Sequence, residues 1–311
     1  MGVAIVGGSG LVGTALVERL LARGAGFVVV DRAPPRRAVH HHRVDLLQVD
    51  VDELAAVLRR YRVDRLVHLV ARVDPPRDPA DRGLMRRLHE EGTRVVVDAA
   101  KAAGVRRFVL VSSAVVYGAW PHNPVPLSED APVAPCPFPY AQDKAQQERV
   151  VIDAWGSAGL SIVRPAIVYG PSAKSYLTEL LRTRLPLIGR VLPALDGHRP
   201  PLQFVHVDDV AAVVDAALHQ DEDGVFHACA SDWLSFGEVA RLTGARVVDV
   251  DARLAAALLD PLVPLLPPSL RAPSSLFPYL KHPFVLSAEK TQRVLGVAAS
   301  SSSKALRSIL V

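Results

Sequence analysis

The chain has 311 residues, of which half are hydrophobic and 22% are charged. This composition excludes a globally disordered chain, and the length favours one large domain with a smaller appendage. The 36 basic and 32 acidic residues are scattered and give a formal net charge of +4, so no basic block indicates a nucleic-acid partner.

Neither the cysteines nor the apolar runs indicate an exported or membrane-bound protein. Cys136 and Cys229 are far apart and have no metal-ligand spacing, which suits a reducing cytosol. The first residues show no basic leader and no cleavage site. The most apolar run, residues 254–270, contains Asp260 and four prolines, so it is not expected to span a bilayer. We therefore expect a cytoplasmic protein without a membrane partner or a bound metal.

Short β-branched runs alternate with helical patterns in the first half of the chain. Residues 3–7 and 27–31 are predicted strands, and between them the pattern predicts a helix over 11–24 that ends in glycine. A second long helix is predicted over 85–104, and further strands over 65–71, 107–113 and 160–165. Strands that alternate with helices imply right-handed crossovers and a parallel sheet with helices on both faces. The sequence thus predicts a doubly wound α/β domain.

Beyond about residue 170 the regular alternation ends. One further strand and helix are predicted over 202–218, and two helices in the last eighty residues beside a proline cluster at 261–283. We interpret the irregular segments as a smaller cap. The homopolymeric runs at 40–42 (histidine) and 300–303 (serine) are interpreted as loops rather than a metal site or a linker.

A glycine-rich turn follows the first predicted strand. Gly7, Gly10 and Gly13 occur in the spacing G-x-x-G-x-x-G, at the junction with the first helix. Glycine is required where the chain turns tightly, approaches a pyrophosphate or packs a helix closely on a strand. The helix N-terminus then faces the phosphates. The alternative is a glycine-rich turn without a ligand.

An acidic residue at the end of the second strand favours the ligand. Asp31 lies eighteen positions after Gly13, where a carboxylate can accept hydrogen bonds from both ribose hydroxyls of NAD. Arg32 beside it is the residue that could instead accept the extra phosphate of NADP. Asp45 and Leu46, after the following short strand, are candidates for the adenine side.

Tyr140 and Lys144 are four residues apart at the start of a predicted helix, so they lie on one face. A free tyrosine has a pKa of about 10. A nearby ammonium group, together with the positive nicotinamide of an oxidised cofactor, favours the phenolate and would bring Tyr140 toward general acid/base work. Ser113 follows the predicted strand 107–113, at the sheet edge where ligands bind in open α/β folds. A substrate oxygen could therefore contact Ser113 and Tyr140 together.

These segments resemble the extended short-chain dehydrogenases/reductases, of the NAD-dependent epimerase/dehydratase type, over nearly the whole chain. The matching motifs, in order, are GGSGLVG, Asp31, VDL (44–46), HLVA (68–71), EGT (91–93), SSAVVYG, YAQDK, RPAIVYGP (164–171), FVHVDDVA (204–211) and SAEKTQRVLG (287–296).

The resemblance implies a Rossmann-like domain with a discontinuous C-terminal substrate-binding cap, and a homodimer formed through a four-helix bundle. The domain boundaries we expect are 1–168 plus 203–230 for the NAD-binding part and 169–202 plus 231–311 for the cap. It also implies that Ser113 is the catalytic serine, Tyr140 the acid/base and Lys144 the residue that holds the nicotinamide ribose. The cofactor-binding residues expected on this basis are Gly7, Gly10, Leu11, Val12, Gly13, Asp31, Arg32, Asp45, Leu46, Val70, Ala71, Lys144, Pro165 and Ile167.

Three positions depart from the family pattern. His89 stands where the family often has an asparagine that braces the backbone, which leaves that role open. Nucleotide-sugar members commonly carry an asparagine at the position of Ile167 and a diphosphate-binding arginine at that of Leu202. A diphosphate without such partners is costly to bury.

Three functions remain to be weighed. The first is an NAD(H)-linked oxidoreductase acting on an apolar ketone/alcohol pair, such as a steroid-like or polyketide-like ketone. The second is a nucleotide-sugar epimerase or dehydratase, for which Arg190 or Arg199 could bind phosphate. The third, a non-catalytic dinucleotide-binding regulator, has no need of Ser113, Tyr140 and Lys144.

Overall fold

The computed structural model describes residues 2–72, 79–170, 173, 181, 189–262 and 273–307. Its strands are β1 (Gly2–Val6), β2 (Phe27–Asp31), β3 (His41–Arg43), β4 (Val63–His68), β5 (Arg107–Val111), β6 (Leu160–Pro165), β7 (Ile167–Tyr169), β8 (Arg190–Leu195), β9 (Phe204–His206), β10 (Gly224–Ala228) and β11 (Ala245–Val250). Its helices are α1 (Leu11–Ala22), α2 (Val51–Arg60), α3 (Pro79–Arg87), α4 (Thr93–Ala102), α5 (Pro139–Trp155), α6 (Val207–His219), α7 (Phe236–Thr243), α8 (Ala252–Leu259), α9 (Pro278–Lys281), α10 (Glu289–Leu295) and α11 (Ser302–Arg307).

Seven strands form one parallel sheet in the order β10-β6-β5-β4-β1-β2-β3. Val3 and Ile5 pack in the core on one face of this sheet, whereas Ala4 and Val6 pack in the core on the other. Alternate residues of a strand point to opposite faces, so a strand covered by helices on both sides is apolar throughout. The predicted doubly wound, Rossmann-like α/β fold is confirmed.

The predicted helix over 85–104 is a longer and interrupted element. Helix α3 runs into a π-helical turn, Leu88–Gly92, which continues directly into α4. A π-turn inserts one extra residue into a helix and re-aims the side chains near it. His89 lies in this turn and is fully buried.

Two predicted loops are partly regular structure. The prediction of a loop for the histidine run is wrong for His41 and His42, which belong to the edge strand β3 and pair with β2. The backbone hydrogen bonds of an edge strand do not depend on side-chain type. A strand can therefore form from polar residues that give no indication of it in the sequence. Ser302 and Ser303 likewise begin α11 instead of continuing the loop.

The second half of the chain contains more regular structure than its irregular sequence pattern predicts. Strands β8 and β11 form a parallel pair, and β7 pairs with β9. The expectation of two helices near the C-terminus is wrong, because the described residues after 231 contain five, α7 to α11. Part of the proline cluster at 261–283 lies outside the described residues. No helix of the described segments has both the length and the apolarity needed to cross a membrane.

Candidate active site

The glycine turn connects β1 to the N-terminus of α1. Gly7 has a φ of +88°, a conformation that glycine adopts at little cost. A Cβ atom on Gly13 would lie 2.6 Å from the Cα of Gly8, so only glycine allows the helix to pack this closely on the turn. Gly10 caps α1 without a side-chain hydrogen bond, which leaves the first N–H groups of the helix available to an anion.

Asp31 ends β2 beside this turn, and both of its carboxylate oxygens are held by backbone groups. The N–H of Ser9 donates to Oδ2 at 2.9 Å, and the N–H of Ala33 donates to Oδ1 at 3.0 Å. Each carboxylate oxygen can accept a second hydrogen bond, so Asp31 remains able to bind hydroxyl groups. The two backbone contacts fix its position.

Two adjoining cavities run along the carboxyl ends of the strands. The outer cavity, about 690 Å³, is lined by Asp31, Arg32, Asp45, Leu46 and Val70 among others. The inner cavity, about 310 Å³, is lined by Leu11, Val12, Gly13, Ser113, Tyr140, Lys144, Pro165 and Ile167 among others. Both are lined by Gly7, Gly10, Leu69 and Ala71, so they form one continuous groove. All predicted cofactor-binding and catalytic residues line this groove.

Helix α5 brings Tyr140 into the inner cavity. Pro139 occupies the first turn of the helix, where its missing N–H costs nothing, and Tyr140 follows it. Burial raises the pKa of Tyr140 to about 12, against a smaller opposing effect of hydrogen bonding with Ser113. Among the protein's own groups, desolvation of the phenolate therefore dominates the pKa of Tyr140. The expected effect of Lys144 together with an oxidised nicotinamide stays a prediction.

Lys144 is 2% exposed and its ammonium group is anchored on two sides. Nζ donates to the carbonyl oxygen of Val111 at 2.9 Å and to Oε1 of Gln147 at 2.8 Å. An ammonium group has three donors, so one remains for a ligand. Burial lowers the pKa of Lys144 to about 7, and the nearby Glu148 partly offsets this shift.

Ser113 is the N-cap of a 3₁₀ turn, Ala114–Tyr117, and lies two residues after the end of β5. Its hydroxyl accepts a hydrogen bond from the N–H of Val115 at 3.4 Å, which caps the turn. This cap places the hydroxyl on the inner cavity together with Tyr140. The three predicted catalytic residues are thus brought together by the ends of β5 and the first turn and a half of α5.

Sequence analysis missed the residue that holds Lys144. Gln147 is fully buried, and its amide nitrogen donates to Oγ1 of Thr93 at 3.0 Å and to the carbonyl oxygen of Val70 at 3.2 Å. Its position, three residues after Lys144 on the same helix face, was the one available indication. Gln147 therefore connects the lysine to the segment that follows β4.

His89 does brace the backbone, which the sequence left open. Its Nε2 accepts a hydrogen bond from the N–H of Arg72 at 3.1 Å. Its Nδ1 faces Oδ2 of Asp143 at 3.4 Å, and Arg82 donates to both oxygens of that carboxylate at 2.6 and 2.7 Å. Burial lowers the pKa of His89, which favours the neutral ring that can accept from the backbone. These contacts join α3, the π-helical turn and α5.

A second buried network lies behind Ser113. Arg164 donates to both carboxylate oxygens of Glu148 at 2.9 and 2.6 Å and to the hydroxyl of Tyr117 at 2.7 Å. The Tyr117 hydroxyl lies 2.6 Å from Nε2 of His227, whose Nδ1 lies 3.0 Å from the carbonyl oxygen of Ser287. The donors of Tyr117 and His227 are both matched if the Tyr117 O–H donates to Nε2 and His227 carries its proton on Nδ1. The network fixes the 3₁₀ turn against β6 and β10.

The side of the inner cavity that is formed by Phe138 and residues 276–284 is apolar. Its described lining includes Phe138, Leu276, Tyr279, Leu280 and Phe284. Tyr140, Lys144 and Tyr279 are the only titratable side chains among the described residues that line this cavity. The sequence could not show this, because the segments concerned are far apart in the chain.

Comparison with known proteins shows which family this chain matches. The family model "NAD dependent epimerase/dehydratase family" matches residues 3–228. A 3-diazoavenalumate denitrifying reductase from Streptomyces sp is 32% identical over 261 residues, which cover 79% of this chain and 82% of that protein. The UDP-glucose 4-epimerase of Mycolicibacterium smegmatis is 31% identical over 222 residues, which cover 66% and 69%.

Solved structures share the fold. The Bordetella bronchiseptica enzyme WbmG, in complex with NAD and UDP, superposes with a TM-score of 0.73 at 23% identity, over 99% of this chain and 92% of that one.

Proposed function

Since the chain belongs to the NAD-dependent epimerase/dehydratase family, we propose that it is an oxidoreductase acting on an apolar ketone/alcohol pair, with Tyr140 as the acid/base. Family membership makes the protein an enzyme and NAD its cofactor. One observation carries the finer proposal: the described lining of the inner cavity contains no carboxylate, histidine or arginine. Such a site suits a neutral substrate and a reaction that needs a single proton.

The residues of the groove fit NAD. The uncapped N-terminus of α1 offers N–H groups to a pyrophosphate, and the fixed carboxylate of Asp31 offers acceptors to ribose hydroxyls. The free donor of Lys144 suits a second ribose. When bound, NAD supplies or accepts the hydride.

The protein's own groups then handle the oxygen of the substrate. In the direction of reduction, the Tyr140 O–H donates its proton to the carbonyl oxygen as that oxygen gains negative charge. A phenol with a pKa of about 12 is protonated at neutral pH, as this step requires. The Ser113 hydroxyl donates to the same oxygen, and the ammonium of Lys144 favours the phenolate that is left behind. In the direction of oxidation, the proton transfer is reversed.

The second candidate is a nucleotide-sugar epimerase or dehydratase, which the similarity to a UDP-glucose 4-epimerase supports. A dehydratase needs further acid/base groups that remove a proton and help a hydroxyl group to leave. Binding of a diphosphate needs positively charged side chains. Among the described lining residues of the inner cavity, Lys144 is the one basic group, and its third donor is taken by the ribose in the proposed arrangement. This favours the ketone/alcohol reaction.

The experiment measures binding and turnover in parallel. Purified protein with NADH is incubated with a panel of apolar ketones or with UDP- and dTDP-sugars, and NADH oxidation and the midpoint of thermal unfolding are followed. We expect ketones to be reduced and nucleotide sugars to leave the midpoint unchanged. Tyr140→Phe, which should still bind NADH, is the inactive control. Micromolar binding of a nucleotide sugar together with its epimerisation or dehydration would overturn the proposal.

We further propose that the protein is cytoplasmic, that it forms a homodimer, and that residues 169–202 plus 231–311 constitute the cap. Support for the cap comes from a separate apolar core that includes Tyr169, Leu192 and Phe236.

Support for the dimer comes from Leu84 on α3 and Ile152 on α5, which are 45% and 49% exposed. Light scattering on the purified protein and on the Leu84→Glu/Ile152→Glu double variant tests the dimer, because charges at a contact should yield monomers.

A further inference from the structure

Three aromatic rings continue from Tyr140 into the cap side of the inner cavity. The ring of Phe138 lies 6.1 Å from that of Tyr140 and 6.0 Å from that of Tyr279, at angles of 62° and 64°. The ring of Phe284 lies 5.1 Å from that of Tyr279 at 83°. We call Phe138, Tyr279 and Phe284 the aromatic wall. All three line the inner cavity, so they border the space where the substrate meets Tyr140.

The aromatic wall is fixed and presents carbon rather than polar atoms. The hydroxyl of Tyr279 donates to the carbonyl oxygen of Val115 at 2.8 Å, so it is engaged with the backbone. Phe138 and Tyr279 are only 3% and 4% exposed. Leu276 and Leu280 complete the described lining on this side. A substrate group in this space therefore meets rigid rings and aliphatic side chains.

Rings already packed edge-to-face favour a further ring over a saturated group of the same size. The negative face of one aromatic ring attracts the positive edge of the next, which a cyclohexyl group cannot reproduce. Each such pair changes binding roughly two- to tenfold beyond the effect of buried area. Since Phe138 of the aromatic wall packs beside Tyr140, a ring bound against this wall lies next to the reacting oxygen.

Resting on the proposed function, we propose that the substrate carries a planar aromatic ring beside the reacting carbon: an aryl ketone or aldehyde, or the corresponding benzylic alcohol. In reduction, the carbonyl carbon gains a hydride from NADH and its oxygen gains the proton of Tyr140, so the C=O double bond becomes C–OH. NADH becomes NAD⁺, and Tyr140 regains a proton from solvent. Phe138, Tyr279 and Phe284 select the ring and take no part in the transfer.

The test uses two amides that carry the same carbonyl group but cannot accept a hydride. Affinities of benzamide and cyclohexanecarboxamide for the protein with bound NADH are measured by calorimetry. We expect benzamide to bind about tenfold more tightly. Phe284→Leu should reduce this preference to about twofold. Phe277→Leu, a matched change beside the same short helix but outside the cavity lining, should leave the preference unchanged.

The outcomes separate this inference from the proposed function. Equal affinities of the two amides, no binding of either, or a preference that persists in Phe284→Leu overturns the aromatic selection. If saturated ketones are nonetheless reduced by the wild-type protein, the proposed function stands without the aromatic selection. If UDP-glucose binds the NADH form in place of both amides, the inference and the proposed function fail together.

Discussion

At the scale of single residues, Tyr140 carries the proposed chemistry. Tyr140→Phe removes the transferable proton and keeps the ring that packs 6.1 Å from Phe138. We expect turnover to fall about 10²- to 10⁴-fold, the usual contribution of a general acid/base, while NAD affinity is retained. Steady-state kinetics and calorimetry provide the two measurements. Lys144→Met is the companion variant and should lower both cofactor affinity and rate. Full turnover in Tyr140→Phe would remove the acid/base assignment.

We expect Asp31 to determine the choice of cofactor. Its carboxylate is held by two backbone N–H groups, so it cannot readily swing away to let Arg32 accept a phosphate. The extra phosphate of NADP carries roughly −1.5 to −2 charges. Two unit charges about 4 Å apart near a protein surface interact by about 4 kcal/mol, and about 1.4 kcal/mol is tenfold in affinity. We therefore expect NADP to bind at least about tenfold more weakly than NAD.

Titration of both cofactors against the wild-type protein and Asp31→Ser checks this expectation. The serine variant should lose most of the discrimination, because the repelling charge is gone while a hydroxyl remains. Arg32→Ala serves as the control for phosphate binding by the neighbouring guanidinium. NADP binding more tightly than NAD to the wild-type protein would show that Arg32, and not Asp31, dominates.

At the scale of elements, the π-helical turn Leu88–Gly92 aims His89 at the segment that follows β4. His89→Ala leaves the N–H of Arg72 and the carboxylate of Asp143 each without one contact. A buried donor without a hydrogen-bond partner costs about 1–3 kcal/mol. Where this cost destabilises the groove, we expect NAD to bind roughly tenfold more weakly. His89→Asn, which restores an acceptor, should recover most of this affinity.

The measurement compares NAD affinity with thermal stability in both variants. A lower unfolding midpoint without a change in NAD affinity would assign His89 a purely structural role. Because Arg82 and Asp143 connect the same turn to the helix that carries Lys144, we also expect kcat to fall in His89→Ala.

At the scale of the whole molecule, we expect two buried histidines, His68 and His227, to contribute to the loss of stability in acid. Burial lowers the pKa of His68 and of His227 to about 3, against 6.5 in the unfolded chain. Between these values the unfolded chain binds more protons than the folded one, so stability decreases as the pH falls below about 6.5. Each histidine contributes a slope of about 1.4 kcal/mol per pH unit in this range.

Urea unfolding between pH 4.5 and 7.5 tests this prediction. His227→Gln removes one of the two protons, so its free energy of unfolding should fall with acid less steeply than that of the wild-type protein, by about 1.4 kcal/mol per pH unit. The variant should be less stable at pH 7.5, because Tyr117 loses its acceptor. Parallel slopes for the two proteins would mean that His227 is not the titrating group.

The sequence by itself determined the sheet, the glycine turn and the pair Tyr140 and Lys144. Each of these depends on residues near one another in the chain: apolar runs that mark buried strands, glycines at a fixed spacing, and two side chains one helical turn apart. The fold class and the family followed from such local patterns. The parallel pair β8 and β11 did not, because the partners are distant in sequence and their residues are irregular or half exposed.

Tertiary structure alone decided what surrounds the candidate catalytic residues. The contact of Gln147 with Thr93, the contact of His89 with Arg72 and the Arg164 network join residues that no local pattern brings together. Burial, and not the neighbouring lysine, governs the pKa of Tyr140 among the protein's own groups. The aromatic wall depends on the same kind of contact, since Tyr279 reaches the carbonyl of Val115 across 164 residues of sequence. Packing sets desolvation and hydrogen-bond partners, so these properties exist only once distant segments have come together.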